Sequence, residues 1–107
     1  MKLWIDDVRP APDGYRWIRT VNYAKRCICN FETMYRYSGG KEIYKIELID
    51  MDHDAGEYKH LGGDYIELLN WLEDTGRCYP IRIHSMNPVG VANMRRIIQR
   101  NGWTEVK

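Results

Sequence analysis

From residue 15 onward, short apolar runs alternate with longer amphipathic ones, and no other property of the sequence narrows the fold so far. "YRWIRTV" (15 to 21) alternates rings or aliphatics with Arg and Thr, the pattern of a strand with one wet face at a sheet edge. Asn22 is then placed to cap a helix running to about Tyr37, which "SGG" (38 to 40) stops. "YKIELIDM" (44 to 51) contains another strand, and a Gly-rich loop fills 55 to 63. Asp64 caps the next helix, with Glu67 completing a capping-box-like pattern. Tyr65, Leu68, Leu69 and Leu72 form its core-facing stripe, and Gly76 ends it. "PIRIHS" (80 to 85) is a further strand. The last helix starts with Asn87 as cap and Pro88 in its first position, and closes at Gly102. "WTEVK" could add an edge strand.

Upstream, "KLWID" (2 to 6) reads as the first strand and "RPAPDG" (9 to 14) as a loop, because two prolines and an Asp-Gly pair favour turns. Strands alternating with helices imply βαβ units, a parallel sheet and right-handed crossovers. At 107 residues without a linker, repeat or low-complexity tract, the chain (1 to 107) reads as one domain.

In open parallel sheets of this kind, ligands bind beyond the carboxyl ends of the strands. The first strand delivers Asp6, Asp7 and Arg9 there. The third delivers Asp52, His53 and Asp54, and the fourth delivers His84, Ser85 and Asn87. The dense polar constellations therefore share one sheet edge, and the opposite strand ends offer nothing comparable. Asp50, an odd step before His53, is expected to face away and drop out of the site.

Composition narrows the partners. A formal net charge of +1 gives no reason to expect extended nucleic acid or a membrane surface as partner. No run approaches the roughly 20 apolar residues of a membrane span, and "MKLWIDDVRP" has no signal-peptide core, so a cytoplasmic protein is expected. Cys27, Cys29 and Cys78 lack metal-ligand spacing and read as reduced, mostly buried thiols. Eight Tyr and four Trp against one Phe suit half-buried surfaces, here most simply the capping of a thin core.

"WIDDVRPAPDG", "DMDHDAG" and "IRIHSMNPVG", in that order between residues 4 and 90, resemble the cyclic-phosphate-processing receiver-like domain, a relative of the two-component receiver fold. The helix "GGDYIELLNWLE" between them is in keeping with it. The resemblance implies a truncated flavodoxin-like, three-layer α/β fold with a mostly parallel sheet of four to five strands, a loop replacing the first receiver helix. It implies that Asp6 and Asp7 match the receiver's cation-binding acidic pair, Asp52 its phosphoacceptor position and Ser85 its Ser/Thr after strand four. His53 and His84 depart from a signalling receiver, as does the want of a clear lysine after a fifth strand. The implied function is handling of cyclic-phosphate-containing nucleotides.

The residues themselves support that chemistry, with plainer readings beside it. Asp6, Asp7 and Asp52 could hold Mg²⁺ or Mn²⁺, which prefer one or two carboxylates with waters and phosphate oxygens. Alternatively, Asp6 caps a turn and Asp7 pairs with Arg9. His53 and His84, on adjacent strand ends, could flank one scissile phosphate as general base and general acid, or be structural. Asp54 could orient His53 or join the cation. Ser85, Asn87 and the helix start could bind phosphate, and Arg9 could clamp it or only pair with an acid. Met86 reads as packing. A cyclic-phosphate phosphoesterase is thus expected, beside a module that binds or sequesters a cyclic nucleotide intact, or a degenerate receiver acting through protein contacts.

Overall fold

A computed structural model describes residues 1–107. Four strands, β1 (Lys2–Ile5), β2 (Tyr15–Ile18), β3 (Leu48–Met51) and β4 (Ile81–Ile83), form one all-parallel sheet in the order β2-β1-β3-β4. Three helices follow the strands: α1 (Val21–Tyr37), α2 (Ile66–Asp74) and α3 (Pro88–Arg100). The expected receiver-like parallel α/β fold is present. "WTEVK" adds no full strand; Glu105 makes a single parallel bridge to Ile81, with Ile81 N–H donating to Thr104 and Val106 N–H donating to Ile81.

The connections through α1, α2 and α3 all advance the same way across the sheet, so right-handed crossovers place the three helices on one face. Leu3, Ile5, Ile18, Ile49, Met51 and Ile81 point into that layer. They are buried with Val21, Ala24 and Ile28 of α1, Leu68, Leu69 and Leu72 of α2, and Met94, Ile97 and Ile98 of α3. Because the β1–β2 connection is a loop, the layer its helix would form is missing, so the fold has two layers rather than the three expected. Side chains cover that second face instead: Trp4, Tyr15 and Trp17 lie there half-buried, Trp4 edge-on to Tyr15 with ring centroids 5.8 Å apart. Each indole N–H is satisfied by a carbonyl of the nearby loop, Trp4 donating to Arg9 and Trp17 to Asp6.

Local capping differs from expectation at two helices. Thr20, not Asn22, caps α1, its Oγ1 accepting from Tyr23 N–H at 3.0 Å. The Asn22 N–H instead donates to the Leu61 carbonyl. No capping box forms at α2: its N-cap position is Tyr65, which makes no side-chain cap bond, while Asp64 accepts from Ala55 N–H and the Glu67 carboxylate from Asn70. The α2 start is therefore fixed by the loop beside it. Asn87 caps α3 with Pro88 in its first turn, as the sequence indicates. Of the cysteines, only Cys27 is buried; Cys29 is half-buried and Cys78 exposed, and all three are free thiols.

Candidate functional site

The acidic turn after β1 is the centre of the site. Asp6 is fully buried, and its Oδ1 accepts from both Val8 and Arg9 N–H at 2.9 Å, so it does cap a turn. Its Oδ2 faces His84 Nε2 at 2.9 Å and Arg9 Nε at 3.9 Å. Burial works against the Asp6 charge, but these N–H groups and His84 outweigh it and hold the carboxyl below its ordinary value. Arg9 pairs with Asp6 rather than Asp7, and its Nη1 donates to the His84 carbonyl at 3.0 Å, tying the loop to the end of β4.

Asp7 has the opposite electrostatics. Burial raises its pKa, and the charges of Asp6 and Asp52 raise it further. Asp52 is 8% exposed; its N–H continues the ladder to the Ile5 carbonyl, and its Oδ1 accepts from His53 N–H at 2.7 Å. Carboxylate oxygens of Asp6, Asp7 and Asp52 all lie within 4.8 Å of one another. The sheet accounts for this convergence, since β1 and β3 are direct neighbours that end together. Three carboxylates this close, one of them pushed towards its neutral form, suit a hard divalent cation by donor type and by charge. Tyr65 lies buried beside them. Burial and the charges of Asp7, Asp6 and Asp52 push its phenol up, so it stays a donor, bonding the Arg19 carbonyl at 2.8 Å.

The two histidines part company. His53 Nδ1 meets Asp54 Oδ1 at 3.0 Å, and the ring lies under the first turn of α3, where a β-carbon on Gly90 would come within 2.5 Å of its Cγ. His84 stacks flat on Trp4 on the helix-free face, centroids 3.9 Å apart and planes 5° from parallel. Both its nitrogens are taken, Nδ1 by Asp50 Oδ1 at 2.6 Å and Nε2 by Asp6 Oδ2. Burial works against charging the ring, but the two carboxylates prevail and raise its pKa. The expected pair of rings facing one phosphate is therefore not what the sheet brings together. The register explains it: Met51 pairs with Ile83, so one step further Asp52 stands beside His84, and His53 falls on the other side.

Asp50 needs the same correction. It does point away from His53, but onto the face that His84 occupies, where it is 1% exposed. Its Oδ2 makes no hydrogen bond, the nearest charge being Arg82 Nη1 at 3.7 Å.

Around the cluster, Ser85 Oγ accepts from Asn87 N–H at 3.1 Å and keeps its own proton to donate. Asn87 Oδ1 accepts from Gly90 N–H, and its amide donates to Asp54 Oδ2 at 3.4 Å. The α3 start is thus largely self-capped. Met86 is 85% exposed, not the packing residue expected. Asp64, read from sequence only as a cap, lies with His53 and Asp54 in a second group of ligand atoms within 4.8 Å of one another. Gly56 is a further unforeseen part: its φ is +54°, and a β-carbon there would sit 2.3 Å from Asp7 Oδ2. The signal for it was the Gly of "DAG", which sequence alone does not aim at Asp7.

The opposite strand ends are not empty either. Glu32 accepts from Arg77 Nε with both oxygens at 3.0 Å and from the Tyr79 hydroxyl, beside a cleft of about 360 Å³ walled by Tyr35, Tyr44 and Tyr79. No helix is long and apolar enough to cross a membrane.

Compared with known proteins, residues 1–100 match the model of the cyclic-phosphate processing receiver domain. No curated protein and no solved structure gives a significant match.

Proposed function

The chain belongs to the cyclic-phosphate processing receiver domain family, and from that premise we propose that it binds a nucleotide carrying a cyclic phosphate at the carboxyl ends of its strands and hydrolyses the phosphodiester. The observation that carries this reading is the convergence of Asp6, Asp7 and Asp52, whose carboxylate oxygens lie within 4.8 Å of one another where β1 and β3 end. Asp7 and Asp52, with Asp6 behind them, would hold Mg²⁺ or Mn²⁺, which supplies positive charge to a phosphate oxygen. In hydrolysis, a water oxygen adds to phosphorus and one ring P–O bond breaks. His53, whose Nδ1 meets Asp54, would take the water proton at Nε2 and return it to the leaving alkoxide. Ser85, Asn87 and Arg9 would contact the phosphate, Ser85 through its free hydroxyl proton. His84 serves differently from the sequence expectation: with both nitrogens engaged it orders Asp6 rather than moving protons to substrate.

A cyclic-nucleotide panel incubated with Mn²⁺ or Mg²⁺ tests this. The expected product is a phosphomonoester, abolished by Asp52→Asn and reduced about 10²-fold or more by His53→Ala. Absence of both product and binding overturns the reading. A second reading, binding without turnover, is favoured by one observation: with His84 committed to two carboxylates, only His53 is left for proton transfer. Tight binding with the ligand recovered intact would decide for it.

A further inference from the structure

We propose that Asp50 is a positioning residue of the site: by holding His84 Nδ1 it aims Nε2 at Asp6 and so fixes the innermost carboxylate of the acidic cluster. Asp50 Oδ1 lies 2.6 Å from Nδ1, and His84 Nε2 lies 2.9 Å from Asp6 Oδ2, so the three side chains form one unbroken chain across β3, β4 and β1. The ring between them has two alternatives to lose. It could turn about its χ2 axis, or it could swing out over the helix-free face. Trp4, parallel to the imidazole at 3.9 Å, resists both movements, but a half-turn about χ2 restores the same stack with ring carbons standing where Nδ1 and Nε2 were. Only partners at the nitrogens select between these two orientations, and at Nδ1 that partner is Asp50.

A purely structural role explains Asp50 poorly. It is 1% exposed, and one of its oxygens has no hydrogen bond, so as a packing residue it is a buried charge with an unmet need. An apolar side chain would fill a sheet face under an indole at less expense. Its geometry is instead that of the outer partner that orients an imidazole by its second nitrogen. Arg82, the register partner of Asp50, stands 3.7 Å from the free oxygen and keeps the carboxylate in place by charge.

The test uses the full chain with Asp50→Asn, which keeps shape, and Asp50→Ala, which removes the acceptor. In ¹⁵N-histidine NMR the wild type is expected to show both His84 ring N–H protons, slow to exchange. Asp50→Ala should lose the signal at Nε2 as well as Nδ1, with Asp50→Asn intermediate, and the Trp4 indole emission should change in the same order. Retention of the slow Nε2 proton in a folded Asp50→Ala overturns the inference. A second arm rests on the cation reading above: Mn²⁺ affinity should fall about 10- to 100-fold in Asp50→Ala, as for other groups that orient a ligand from behind. If the wild type binds no Mn²⁺, that reading fails while the ring signals still decide the role of Asp50. An unchanged Mn²⁺ affinity in a variant that has lost the Nε2 signal would overturn the link to Asp6.

Discussion

Gly90, in the first turn of α3, is packed so closely on His53 that a β-carbon there would stand 2.5 Å from Cγ, 2.6 Å from Cδ2 and 2.8 Å from Nδ1. Its φ is not positive, so the backbone does not require glycine; the ring does. Two effects of Gly90→Ala oppose each other. Helix propensity would favour alanine by about 1 kcal/mol, while forcing a methyl into a filled space costs about 1–3 kcal/mol. Since His53 is held at Nδ1 and cannot retreat freely, a net loss of stability and a displaced imidazole are expected. Thermal unfolding together with the His53 ring shifts would show it; a stabilised Gly90→Ala with an unmoved ring would contradict it.

Gly56 stands in the same relation to Asp7, with the added constraint of a left-handed backbone. Gly56→Ala should push the Asp7 carboxylate out of the cluster. A ligand at about 100 times its Kd stabilises the native state by about 2.7 kcal/mol. Gly56→Ala should lose most of the corresponding Mn²⁺-induced rise in Tm that the wild type shows. Equal rises in the two proteins would count against the cluster as the cation's seat.

Without divalent cation, the acid–base groups predict how stability varies with pH. His84 titrates above its unfolded value of 6.5, so its contribution is complete below about pH 6.5 and is lost as pH rises through its raised native value. Asp7, also raised, ionises at the fold's expense, so stability falls as pH climbs from 3.8 through its native value. Asp6 is lowered; it stabilises above 3.8, and that contribution disappears as pH falls through its native value. The Tm should therefore decline on the alkaline side in the wild type and stay flatter there in His84→Gln, measured in chelator. Parallel profiles would refute the assignment.

Thr20→Ala should cost about 1 kcal/mol through loss of the α1 cap. For a chain of this size that is a fall in Tm of about 4–8 °C. Asn22→Ala, one residue inside the helix, should change it far less. Differential scanning calorimetry on the two variants would reverse the cap assignment if Asn22→Ala were the more damaging.

Much of this architecture was legible in the sequence, and the failures have physical causes. Alternating periodicities gave the parallel sheet, and "NP" gave the start of α3, because a cap and a proline act locally. Thr20 was missed because "YRWIRTV" alternates well enough to extend a strand through it, while Asn22 is an equally good cap by chemistry. The gathering of Asp6, Asp7 and Asp52 followed from strand ends alone. The partners of His84 did not. Which face a strand-end residue takes depends on register, and register is a property of two strands at once. Parity within β3 correctly set Asp50 apart from His53 but could not say that His84 and Trp4 share its side.

The sheet order has a consequence for how the protein comes into being. Of the four sheet strands β1 is synthesised first, yet it is an inner strand whose partners are β2 and, much later, β3. Such non-local parallel pairing is slow to close. Asp6 and Asp7 thus leave the ribosome long before Asp52, and the face that gathers them is assembled late, after α1 has already been made. A nascent chain therefore carries Leu3 and Ile5 with one backbone edge unmatched, a segment that chaperones, or another copy of the chain, can engage before β3 arrives.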